Sequence, residues 1–238
     1  MSTSNSTDFN VTRDQIIAGA LRMIGATAQG ETPTATQVTE ASEALNMLVK
    51  AWQADGMPLW GLSEYDMTLV AGQREYNIGV GQTINIPKPL RVIQIWNTNI
   101  SGNIDTPMRV LTKQEYNTLG NKQSSGIPIQ GYYNPQRDYG ILSLFPVPDT
   151  NAASNYHVTI VYQRPFEDFD SASDNPDFPQ EWIEALKYGL AVRLAPEYGL
   201  PLEQRQLLLK EAKDVKDVAL SMGTEEGSLY FQRDFRSW

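Results

Sequence analysis

The chain has 238 residues, 41% of them hydrophobic and 20% charged, ordinary proportions for a folded protein with a sizeable core. It has no cysteine and one histidine, His157, which excludes disulfides, thiolate metal sites, cysteine nucleophiles and any multi-histidine metal site within one chain. The net charge is −9, and the 19 Lys and Arg residues form no cluster of the kind that grips a nucleic-acid backbone.

Residues 1–10 are rich in Ser, Thr and Asn. They lack the basic-then-apolar order of a secretory signal and are expected to form a flexible arm, residues 1–11. A first helix is predicted over residues 12–25. Thr12 with Gln15 fits a capping box, and Ile16, Ile17, Ala20, Leu21 and Ile24 share one face. Gly30 and Pro33 break the chain before a second helix at 34–55, where Val38, Ala41, Leu45, Leu48 and Trp52 line up. The linker is short, so the two helices are expected to pair as an antiparallel hairpin.

Helical period then disappears until about residue 178. Short alternating runs at 66–69, 75–78, 91–96, 108–111, 130–133, 140–145 and 156–163 read as strands of an antiparallel sheet or small sandwich. The first two flank a turn and are expected to form a hairpin. Residues 112–119 lack strand period and read as one or two helical turns. An acidic connector at 164–178 leads to a third helix, 179–196, on a Trp182, Ile183, Leu186, Leu190, Leu194 stripe. A fourth, 201–222, is expected to turn Leu208, Ala212, Val215, Ala219 and Met222 to one face.

The predicted class is therefore α+β. A four-helix framework from the two chain ends (12–25, 34–55, 179–196, 201–222) carries an inserted antiparallel β-rich domain and an extended C-terminal tail. The expected domains are a helical bundle from 12–62 and 166–223, an insert at 63–165, and an aromatic tail at 224–238. Leu229, Tyr230, Phe231, Phe235 and Trp238 give that tail more aromatic character than a solvated tail needs, so it is expected to bury itself on a partner or on its own fold.

Chemistry finds little support. Gly79-Val80-Gly81 lacks the third glycine of a dinucleotide fingerprint and reads as a β-turn. His157 lies in a strand with no local partner to make it a base. Glu167, Asp168, Asp170, Asp174 and Asp177 lack the ligand order of an EF-hand and read as a solvated linker. Glu181 and Glu184 could serve as a glycosidase pair, but first-turn acids commonly serve the helix dipole. No catalytic residue, metal ligand or cofactor is assigned.

The order of segments is more specific than any of these motifs. The string IIAGALRMIGATAQGETPTATQVTEASEALNMLVKAWQADGMPLW is followed by VAGQREYNIG and PLRVI, then by FPQEWIEALKYGLA, and finally by GSLYFQ. This order resembles the head-to-tail connector adaptors of tailed bacteriophages, the family of the packaged-DNA-stabilising tail accessory factor of short-tailed phages. The resemblance implies a non-enzymatic virion protein of the phage neck, assembled in the host cytoplasm, with no membrane partner. Such a subunit forms a dodecameric ring below the portal, extends the channel for packaged double-stranded DNA without reading its sequence, and receives the next tail component, a nozzle or tail tube protein.

On that expectation Leu229, Tyr230, Phe231, Phe235 and Trp238 bind the portal, and Glu203, Glu211 and Asp214 are candidates to line a DNA-repelling channel. The main alternative is a phage-associated cell-wall glycan hydrolase using Glu181 or Glu184. A third reading is a monomeric binding sandwich.

Overall fold

The computed structural model describes residue 5, residues 9–55 and residues 59–223. These contain six helices: α1 (Arg13–Met23), α2 (Ala35–Asp55), α3 (Lys113–Thr118), α4 (Thr150–Asn155), α5 (Ile183–Leu194) and α6 (Leu202–Met222). The strands are β1 (Leu62–Thr68), β2 (Glu75–Ile78), β3 (Arg91–Asn99), β4 (Ile104–Val110), β5 (Ser125–Gly126), β6 (Gln130–Pro135), β7 (Gly140–Phe145), β8 (Val147–Pro148) and β9 (Tyr156–Gln163). The chain divides into two compact units. One holds the residues up to Ala51 together with those from Asp168 onward, and the other is Trp52–Glu167.

In the helical unit α1 begins as its sequence suggests. The Thr12 N–H donates to the Gln15 side chain at 3.0 Å. α2 opens on a fuller version of the same device, unrecognised in the sequence: Thr34 N–H donates to Gln37 Oε1 at 2.9 Å, and Gln37 N–H donates back to Thr34 Oγ1 at 3.3 Å. Each box satisfies N–H groups that the first helical turn leaves without partners.

Contacts between α1 and α2 run in the order an antiparallel hairpin requires: Arg13 Nη1 at the start of α1 donates to Ser42 Oγ well along α2 at 3.4 Å, and Gln37 Nε2 in the first turn of α2 donates to the Ala26 carbonyl just beyond α1 at 3.5 Å. α5 packs against both α1 and α6. Residue size explains the close approach of α1 and α5. α1 buries Gly19 and Ala20, and α5 buries Ala185 and Ala191, so their backbones can approach. A Cβ on Gly19 would stand only 2.8 Å from Lys187 Cε. The predicted start of the third helix is corrected: Gln180–Trp182 forms a 3-10 turn, and α-helix begins at Ile183.

The other unit is built on a seven-stranded sheet in the order β1-β9-β3-β4-β6-β7-β2. β9 is central among its long strands, paired antiparallel to β1 from Leu62↔Gln163 to Thr68↔His157 and to β3 on its other side. Its alternation holds as expected. Val158, Ile160 and Tyr162 enter the core with Met67, Ile95 and Leu142, while His157 and Thr159 occupy the other face.

The predicted β1–β2 hairpin does not form. β1 and β2 lie at opposite edges of the sheet, with β2 paired to β7. A seven-rung ladder on β9 satisfies more of β1 than a four-residue β2 could offer. Nor is the sheet wholly antiparallel: β4 meets β6 in parallel through Arg109↔Gln130 and Val110↔Gly131. The connection between them is long and contains α3, which lets the chain return in the same direction. α3 has a complete capping box, with Thr112 N–H donating to Glu115 Oε2 at 2.8 Å and Glu115 N–H to Thr112 Oγ1 at 3.3 Å. These bonds from Thr112 hold the Glu115 carboxyl below its ordinary range. α4 was not legible as a helix; the Asp149 carboxylate caps it by accepting from Ala152 N–H at 2.7 Å.

The sheet's aromatic residues are mostly structural. Tyr133 is buried and donates its hydroxyl to the Pro89 carbonyl at 2.6 Å, and burial pushes its phenol well above the ordinary tyrosine range. Tyr116 and Tyr132 stack at 4.9 Å in a small second cluster with Leu111. Trp96 lies on the face away from the main core, in a row with Asp66, Thr159 and Pro107.

Candidate assembly surfaces

The acidic connector is not a solvated linker along its whole length. Within the helical unit it is tied to α2 and to the start of α1. Asn46, on α2, uses its side-chain amide as a peptide group would: Nδ2 donates to the Phe169 carbonyl at 3.2 Å, and Oδ1 accepts from Phe169 N–H at 2.9 Å. Phe169 is buried at 4% exposure beside this bridge. The carbonyls of Asp174 and Ala172 accept from Arg13 and Asp14 N–H, satisfying the first turn of α1.

The connector acids have particular duties. Asp174 folds its own loop, accepting from the N–H groups of Asp170 at 2.9 Å and Ser171 at 2.6 Å. Asp168 pairs with Lys50 at 2.6 Å in a half-exposed bridge that contributes little by itself. Asn46→Ala should therefore cost about 2 kcal/mol, since it removes two half-buried hydrogen bonds. Urea unfolding measures that loss, and an unchanged midpoint would refute the anchoring role.

Asn46 had a faint signature in the sequence: an amide in the helical stretch between buried Leu45 and Val49. Helical period alone could not say which backbone it would meet, because Phe169 lies more than a hundred residues away.

Glu181 and Glu184 stand at the start of α5, both exposed, along an open groove of about 430 Å³ with Arg22 and Lys187. A glycosidic general acid needs a site that keeps it protonated, usually by burial against apolar groups. Glu181 and Glu184 both stand exposed to water and not buried against apolar groups. Among the described residues no group of three or more His, Asp or Glu side chains could hold a metal ion, and no helix is long and apolar enough to cross a membrane.

The channel candidates all lie on α6 and are all exposed. Helical geometry separates them. Glu203 and Asp214, eleven residues apart, fall nearly on one line along the helix. Glu211 is displaced toward Leu207 and Val218, one turn before it and two turns after it. Four acidic and four basic residues share this helix, so its acids do not make a uniformly negative surface. The tail candidates Leu229, Tyr230, Phe231, Phe235 and Trp238 lie outside the described residues.

The family model of the SU10 adaptor protein matches residues 11–222, nearly all of the described chain. The chain belongs to the SU10 adaptor protein family. This is a phage head-to-tail adaptor family, in agreement with the resemblance read from the sequence. An SU10 adaptor is a structural component of the virion, and the family is not a class of enzymes. No curated protein matches the chain. The match spans residues of both structural units.

Proposed function

We propose that this adaptor forms a closed ring below the portal, extends the DNA channel, helps retain packaged DNA and docks the next tail component. The observation that carries this reading is the family match over residues 11–222. A ring needs a heterologous interface that closes, and a dodecamer is the copy number the resemblance implies. Portal and tail proteins are its partners, and packaged double-stranded DNA passes through it without sequence-specific contacts.

In this reading Leu229, Tyr230, Phe231, Phe235 and Trp238 anchor the subunit to the portal. Five large apolar groups within ten residues can fill pockets on a partner at low cost in rotamer freedom. Glu203, Glu211 and Asp214 are the candidates to face the channel, where like charge keeps the DNA backbone from adhering.

The direct test is removal of residues 224–238. The truncated chain should lose portal-ring binding by about a hundredfold or more, in keeping with the loss of several hot-spot side chains. Capture of the truncated chain with undiminished affinity would sink the anchor assignment. Portal binding by neither form, under conditions where the portal ring is intact, would sink the adaptor position itself.

A further inference from the structure

α6 carries more exposed apolar surface than a helix serving only its own unit requires. It buries just Leu208 and Ala219 among its 21 residues. Leu202, Leu207, Leu209, Val218 and Met222 are between 57% and 69% exposed. Single exposed apolar residues are ordinary, but five on one helix are not scattered at random.

At 3.6 residues per turn they fall into two rows on opposite flanks, about a right angle from the buried line through Leu208 and Ala219 except for Met222, which lies closer to that line. One row runs Leu202, Leu209, Lys213, Lys216 and Leu220, at intervals of three, four and seven residues. The other runs Leu207, Glu211, Asp214, Val218 and Met222. The first flank is apolar and basic, and the second is apolar and acidic. Lys213, Glu211 and Asp214 are exposed, and Lys216 and Leu220 are half-buried.

We propose that α6 is the ring contact, the basic flank of one copy packing against the acidic flank of the next. This rests on the ring reading above and identifies its partner surface as a second copy of this chain. Cyclic symmetry supplies the argument. A rotation about the ring axis keeps every residue at its own height, so neighbouring α6 helices meet without displacement along that axis. With α6 aligned along the axis, Leu209 comes level with Leu207, Lys213 with Glu211 and Asp214, and Leu220 with Val218 and Met222. Charge meets opposite charge and apolar meets apolar at each level. A two-fold contact would instead set each flank against its own kind and bring like charges together.

The proposal also reassigns two channel candidates. Glu211 and Asp214 become interface acids. The crest left between the flanks carries Glu203, Lys210 and Asp217.

The test is a charge exchange in the full chain, read by sedimentation velocity and native mass spectrometry, alone and on portal rings. Lys213→Glu with Lys216→Glu, and separately Glu211→Lys with Asp214→Lys, should each weaken ring assembly about tenfold or more. The four-fold exchange should restore it to within about threefold, because it swaps the signs of both flanks together. Circular dichroism verifies that each variant is folded.

Because the chain has no cysteine, Leu207→Cys with Leu209→Cys gives a second readout. A short bismaleimide should link the double variant into a ladder of oligomers, and each single cysteine into nothing larger than a dimer. Rings that form equally well in both half-exchanges, or that form without any ladder, would overturn the α6 contact. So would half-exchanges that weaken only portal capture, which would make the portal the occupant. A wild-type chain that stays monomeric both alone and on portal rings would overturn the ring reading instead.

Discussion

Gly140→Ala should destabilise the β-rich unit by about 3 kcal/mol, despite adding only one methyl group. Glycine within a strand normally costs about 0.5–1 kcal/mol relative to alanine, so the substitution would ordinarily help. Here the space is taken. A Cβ on Gly140 would collide with the hydroxyl edge of the Tyr133 ring, across the β6–β7 pair. That ring cannot simply swing aside, because Tyr133 is buried and its hydroxyl is held on the Pro89 carbonyl at 2.6 Å. Overpacking therefore outweighs the gain in propensity.

Urea unfolding should show a lower midpoint, and hydrogen exchange should place the loss in β6 and β7. The same substitution in a Tyr133→Val background should cost much less, since the colliding ring is gone. Equal costs in both backgrounds would show that the ring is not the obstacle.

Leu190→Ala should cost the helical unit about 3–4 kcal/mol. Leu190 is fully buried on α5, the helix that packs against both α1 and α6. Truncation leaves a cavity at the shared element, and flanking Leu186 and Leu194 are already fully packed and cannot fill it. The consequence should exceed local loosening. α6 buries only Leu208 and Ala219, so its attachment depends heavily on α5. Protection of α6 amides should fall along with the urea midpoint. A destabilised protein whose α6 exchanges no faster would show that α6 is held independently of α5.

The long helices were legible because each buries one side. Ile16, Ile17, Ala20 and Leu21 on α1, and Ile183, Leu186, Leu190 and Leu194 on α5, repeat at helical spacing and are buried as that spacing requires. β9 was legible for the corresponding reason, since YHVTIVYQ alternates and its Val158, Ile160 and Tyr162 point inward. Partner choice was not legible. β1 and β2 looked like a hairpin because they are close in sequence, yet β1 gains a longer ladder on β9, nearly a hundred residues on. The family likewise could be read from the order of segments, because that order spans most of the chain.

The assembly surfaces divide in the same way. The exposed acids of α6 could be found from the sequence, whereas their grouping could not. Once Leu208 and Ala219 mark the buried line, Glu211 and Asp214 fall on the flank of Leu207 and Val218, and Glu203 falls nearer the crest. The sequence by itself determined the type of the long elements, the mixed α and β content and the family, because periodicity and segment order are properties of neighbouring residues. Only the tertiary structure decided that α5 joins α1 to α6, that Asn46 holds Phe169 and that α6 keeps two apolar flanks in water. Those outcomes depend on which distant surfaces fit each other in size and hydrogen bonding, and local pattern carries no information about that fit.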